Sequence, residues 1–267
     1  MRIAKLCIRF YSTALKNTFE YRLGALTDVF TQIIVYSALY ISIWIIFDRF
    51  KIMQGWTLYE VLFLFNLNAV SNGISSFIFY SPIVYLEQMV QRGEFDIVLI
   101  RPMNPLVYTL LGRPTYYFIG HIILGTIIFA ICFANLAIHV TLIKVIFLVI
   151  DIIGAVLIQS AMYVIIGSLA FWIVRIWSIF EIVTNSLNHM IDYPVSIYGK
   201  GIQAFLTFVV PFAFINFYPA TYFLEKKGVN LFNPILQYGT PVVGIVSFLL
   251  AYKLWKIGVN RYESTGS

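Results

Sequence analysis

Six long apolar runs divide the chain, at residues 24–47, 58–81, 105–133, 142–174, 202–221 and 236–257, with short polar stretches between them. A helix needs about 20 mostly apolar residues to cross a bilayer. The pattern therefore predicts an all-α membrane protein with six transmembrane helices, forming a single transmembrane domain with both ends on one side. Ahead of the first run, Arg2, Lys5, Arg9, Ser12, Lys16 and Glu20 share one helical face, and Ile3, Leu6, Phe10 and Ala14 share the other. That alternation predicts a basic helix lying on the membrane surface over residues 1–22.

The connection at 83–104 has its own order. Glu87, Gln88, Gln91 and Arg92 alternate at helical spacing with Tyr85, Leu86, Met89 and Val90. Gly93 then stands where a left-handed cap would end that helix. Arg92, Glu94, Asp96 and Arg101 surround Phe95, Ile97 and Leu99, and Pro102 and Pro105 break regular structure before the third run. A short helix, a cap and a rigid re-entry make a handle fixed to two membrane helices, so a force on it would move both.

Polar residues inside the apolar runs are candidates for function or for helix pairing. In the second run Asn68, Asn72, Ser75 and Ser76 form one stripe at helical spacing. A stripe of this kind does not face lipid; it either hydrogen-bonds a neighbouring helix or lines a translocation path. Asp28 and Gln32 lie in the cytoplasmic third of the first run, where a partner helix or water near the interface would satisfy them. Asp151 falls in the outer half of the fourth run and is the residue to test for ion coupling. Residues 176–200 carry Glu181, Asn185, Asn188, His189 and Asp192 before Pro194, and are expected to form a second cytoplasmic or interfacial helix. Pro211 interrupts the fifth run, and residues 219–236 read as a short structured outer connection.

Charge supplies the orientation. The chain has 18 Lys and Arg residues, and only Arg49, Lys51, Lys144, Lys226 and Lys227 fall on the side opposite the N terminus. Positive residues collect on the cytoplasmic side, so both termini, the handle and the tail at 258–267 are expected in the cytoplasm. The net charge of +6 is thereby explained without nucleic acid. With 60% hydrophobic and 11% charged residues, the composition is that of a membrane protein. Cys7 and Cys132 offer no disulfide framework, and residues 1–22 carry too many charges for a cleavable signal peptide. His121, His139 and His189 are scattered without metal-ligand spacing. The G-K-G at 199–201 lacks the spacing of a phosphate-binding loop, so no ATP hydrolysis, cofactor or metal is expected in this chain.

Three segments carry a resemblance: R-G-E-F-D-I-V-L-I-R-P at 92–102, P-F-A-F-I-N-F-Y-P-A at 211–220 and R-Y-E-S-T-G at 261–266. Together with the six runs they make the chain similar to bacterial ABC-2 type transporter permeases over nearly its whole length. The resemblance implies a non-catalytic subunit of an exporter in the bacterial plasma membrane. Two permeases, identical or homologous, would pair with two ATPase subunits, and ATP and magnesium would be bound by the latter. Residues 1–22 would be the elbow helix and 83–104 the coupling helix. The ATPase-docking surface would comprise Gln91, Arg92, Gly93, Glu94, Phe95 and Asp96, with Phe95 as the apolar anchor and the charges setting orientation. An outer re-entrant element would map onto 219–236. ATPase closure would press on the handle, rock helices 1, 2 and 5 and open a cavity between subunits to the outside, passing an amphipathic substrate along Asn68, Asn72, Ser75 and Ser76. Competing readings are an ion-coupled secondary transporter that needs Asp151 or Asp28, and a membrane scaffold or immunity protein that moves nothing.

Overall fold

The computed structural model describes residues 22–111, 115–136, 138, 141–173, 175–226 and 232–263. The surface helix expected over 1–22 lies outside them up to residue 21, as do the last four residues of the tail. The regular elements among the described residues are helices, beside one isolated bridge between Met53 and Trp56. They are α1 (Arg22–Arg49), α2 (Leu58–Gln91), α3 (Phe95–Leu99), α4 (Pro105–Leu111), α5 (Ile119–Asn135), α6 (Leu142–Leu169), α7 (Trp177–Glu181, continued by π-helical turns over Ile182–Leu187), α8 (Lys200–Ala204, continued over Phe205–Val209), α9 (Phe217–Phe223) and α10 (Thr240–Arg261). Four of them, α1, α2, α6 and α10, are long and apolar enough to cross a membrane, and a fifth crossing results if the pair 200–209 and 212–223 counts as one.

The helix α2 is the hub. Its start is set where the Thr57 N–H donates to Glu60 Oε2 at 2.8 Å, which satisfies a donor left free by the first turn. Most of its length is buried against α5 and α6. By contrast α1, α6 and α10 each turn an apolar face outward, including Phe30, Ile34 and Trp44, Ile146, Val149 and Ile153, and Val246, Leu249 and Leu250. Apolar faces of that size need lipid or a partner to cover them. Helices α6 and α10 meet backbone to backbone, because a Cβ at Gly154 would stand 2.8 Å from the Thr240 carbonyl oxygen, and one at Gly244 would run into Gly154. Small residues permit this approach, on which helix pairing in lipid depends.

Three expected elements differ from those observed. The third run, expected as one helix over 105–133, is broken between α4 and α5. There Thr115 donates its N–H to Phe77 O (3.0 Å) and accepts from the Ser81 N–H (3.2 Å), beside Pro82 of α2. Proline interrupts the local ladder, and Thr115 supplies partners at the break. The fifth run, expected as a helix over 202–221, is two helices bent by 80° at Pro211.

The third difference concerns the single cytoplasmic or interfacial helix expected over 176–200, which is several short helical segments; residues 176–192 run antiparallel to α2. Ile176 meets Glu87, Phe180 stacks against Tyr80, Asn188 reaches the level of Asn72 and Asp192 meets Asn68. From Glu87 to Asn68 is roughly 28 Å of helix. The polar residues that argued for an exterior position are thereby matched to the polar stripe of α2.

Candidate functional site

The stripe on α2 splits into two faces. Toward α6, Gln159 Nε2 donates to Asn68 Oδ1 (2.9 Å) and Ser71 Oγ (3.2 Å), and Gln159 Oε1 accepts from Ser75 Oγ (2.9 Å). Asn68 Nδ2 donates to Asp192 Oδ1 (3.3 Å), and Asp192 Oδ2 is bonded to His189 Nδ1 (2.7 Å). All of these except His189 and Asp192 are nearly inaccessible to solvent. Hydrogen-bonding groups removed from water must find partners, and here one glutamine supplies partners to three residues of α2. Asn68 and Ser75 are thus structural members of a closed seam.

Toward α1 the stripe borders open space. Asn72 and Ser76 line a cavity of about 250 Å³ together with Gln32 and Tyr36 of α1, His121 of α5 and Asn188 beyond α7. Ser76 Oγ donates to Asn72 Oδ1 (3.0 Å), and the Tyr163 hydroxyl lies 2.9 Å from Ser76 Oγ. Across the cavity Gln32 Oε1 is bonded to His121 Nε2 at 3.0 Å. Sequence reasoning found Asn68, Asn72, Ser75, Ser76 and Gln32 but passed over Ser71, Gln159 and Tyr163. A glutamine and a tyrosine four residues apart inside an apolar run were the available signal.

The handle is formed where Gly93 adopts φ +70°, a backbone region that costs glycine little. Tyr85 donates to Glu94 Oε2 at 2.9 Å and Arg92 lies 3.9 Å from Glu94. The expected docking surface needs one correction. Phe95 is 0% exposed and sits with its ring edge to those of Phe171 (5.1 Å between centroids), Tyr262 (5.2 Å) and Trp255 (6.3 Å). It pins the handle to its own subunit and offers no surface to a partner. The exposed apolar residues of the loop are Ile97, at 51%, Leu99, at 41%, and Ile100, at 79%. One turn above the handle, Glu87 Oε2 accepts from the N–H groups of Ile176 (2.8 Å) and Trp177 (3.1 Å). A carboxylate on the first amides of α7 satisfies donors that the helix cannot and suits the helix dipole.

At the opposite end Lys226 Nζ meets Glu60 Oε2 (2.7 Å) and Gly55 O (2.6 Å) and lies over the Trp56 ring (5.2 Å), while Lys144 pairs with Glu225 at 2.9 Å. The turn after α9 is thereby stapled to the starts of α2 and α6. Between these ends Asp151 of α6 is 1% exposed, and neither carboxyl oxygen has a partner among the described residues.

These elements define a multi-pass helical membrane protein with a row of buried polar groups on a hub helix that also carries the handle. The family model described as ABC-2 family transporter protein matches residues 33–266, and the chain belongs to that family. It is therefore a membrane component of ABC-type transport. Comparison with curated proteins and with solved structures gave no match.

Proposed function

We propose that the chain is the permease subunit of an ATP-driven exporter in the bacterial plasma membrane. It pairs with a second, identical or homologous permease, and two cytoplasmic ATPase subunits supply ATP and magnesium. In this reading residues 177–192 make the fifth crossing, α8 and α9 form a hairpin entering from the outside, and both termini are cytoplasmic. The stepwise register of 176–192 against α2 supports the first assignment, and the 80° bend supports the second.

The handle carries the proposal. It presents Ile97 and Ile100 to the cytoplasm beside Arg92 and Arg101, and it is held rigidly from within by Phe95. An exposed apolar pair rimmed by charge is the composition of a docking site. Docking therefore falls on Gln91, Arg92, Glu94, Asp96, Ile97 and Ile100. A displacement of the handle moves α2 directly and α7 through Glu87, which draws both walls of the cavity together with it. The substrate is amphipathic, since the cavity has polar groups on α2 and aromatic ones at Tyr36, Tyr80 and Phe118.

The test is co-purification from the native membrane in mild detergent. An ATPase subunit is expected with the wild type and absent from an Ile97→Asn/Ile100→Asn variant that still inserts and folds. Retention of the ATPase by that variant, or its absence from wild type, overturns the reading. A secondary carrier is the competing reading, and the unpartnered carboxyl of Asp151 is the observation in its favour.

A further inference from the structure

The cavity between α1, α2, α5 and the segment after α7 has an unusual charge inventory for a polar space inside a membrane. No Lys or Arg is among the described residues that line it. Asp192, bonded to the lining residue His189, has both oxygens engaged, by His189 and by Asn68. The polar groups of its described walls are amides, imidazoles and hydroxyls. Asn72 spends its carbonyl on Ser76, which leaves its NH₂ without a partner among the described residues. Gln32 spends its carbonyl on His121 and likewise keeps its NH₂. Buried acceptors without partners remain at Asn188 Oδ1 and His121 Nδ1. Those two atoms are closed off from the cavity, so the walls set the amide donors of Asn72 and Gln32 beside the hydroxyls of Tyr36 and Thr184, and Asp192, the acidic group bonded to the lining, is compensated.

A ligand charge of either sign entering this space would lose its hydration without gaining a counter-charge, which is prohibitive in a low-dielectric interior. A hydroxyl or amide group both donates and accepts, so it can satisfy amide walls whichever end each amide presents. Apolar and aromatic residues, Val35, Leu39 and Phe118 among them, complete the lining. From this we infer that the cavity is a binding site for the headgroup of an uncharged amphiphile, rich in hydroxyl or amide groups, and that it rejects anionic and cationic headgroups on equal chains. The inference rests on the exporter reading for its role in transport, although the binding itself does not.

The experiment uses the purified protein in nanodiscs of zwitterionic lipid and a photoreactive alkyl glucoside with a diazirine in its chain. Unlabelled alkyl glucoside, alkyl phosphate and alkyltrimethylammonium of equal chain length serve as competitors. Labelling is expected on peptides of α1 and α2 near Gln32 and Asn72. The glucoside should compete about tenfold better than either charged analogue, the penalty expected for an unsatisfied buried polar group. Asn72→Leu should abolish site labelling with thermal stability nearly retained. Asn72→Asp places a carboxylate in the wall and should reverse the order, making the alkyltrimethylammonium the best competitor. Equal competition by the phosphate overturns the charge selectivity. Labelling that maps elsewhere, or that survives Asn72→Leu, overturns the site. Selective labelling in a protein that brings no ATPase from the membrane supports the cavity and overturns the exporter reading, so the two fail separately.

Discussion

Asn68 and Asn72 lie one turn apart on α2, yet the first is locked between Gln159 and Asp192 while the second faces open space with its NH₂ unspent. The neighbouring serines repeat the division, Ser75 bonding Gln159 and Ser76 bordering the cavity. Side-chain chemistry is the same on both faces, so function follows from what the facing helix supplies. Where α6 offers Gln159 the polar groups close on each other and hold helices together. Where α1 stands back they remain available to something else.

Substitution of Gln159 breaks the closed face. Gln159→Leu leaves Asn68, Ser71 and Ser75 short of partners and should lower stability by about 2 kcal/mol, read as a fall of roughly 4–8 °C in thermal unfolding in detergent. Next in size is Glu87→Ala, which leaves both faces intact but frees the start of α7. It should cost about 1 kcal/mol and leave ATPase co-purification unchanged, while ATP hydrolysis no longer responds to substrate. Asn72→Leu tests the open face. It should change stability by less than about 1 kcal/mol, because the residue holds only Ser76, yet it should remove substrate stimulation of ATP hydrolysis. If Asn72→Leu unfolds the protein as readily as Gln159→Leu, the two faces are equivalent and the comparison collapses.

The smallest effect is expected at Asp151. A carboxyl buried without a partner is destabilising if charged, so Asp151→Asn should leave stability equal or slightly raised and flux unchanged. A loss of flux with the ATPase still bound would move the open face's role to α6 and favour ion coupling.

How much of this was legible depended on where each residue's partners lie in the chain. The α2 stripe was readable because helical spacing displays it within nine residues. The course of 176–192 was not, since Asn188, His189 and Asp192 look like surface residues until α2 is seen to offer matching groups more than a hundred residues earlier. Two polar stripes that face one another make each other tolerable in lipid, and each alone argues for water. Phe95 failed for a similar reason. An aromatic ring amid Arg92, Glu94 and Asp96 reads as an exposed anchor, and nothing in the loop reveals the cover that Phe171, Trp255 and Tyr262 provide. The break at Pro211 was visible, but the 80° bend depends on packing at both ends.

The cover over Phe95 also sets an order on biosynthesis. Phe95 emerges from the ribosome 167 residues before its last covering ring, Tyr262. The handle is therefore complete only once α10 has been laid beside α6. A chain cut short after Asn260 would keep Phe171 and Trp255 against Phe95, yet lose the Tyr262 ring from its cover. A chain that stopped before α10 would lack both Trp255 and Tyr262 and carry an apolar mark that chaperones and proteases can read.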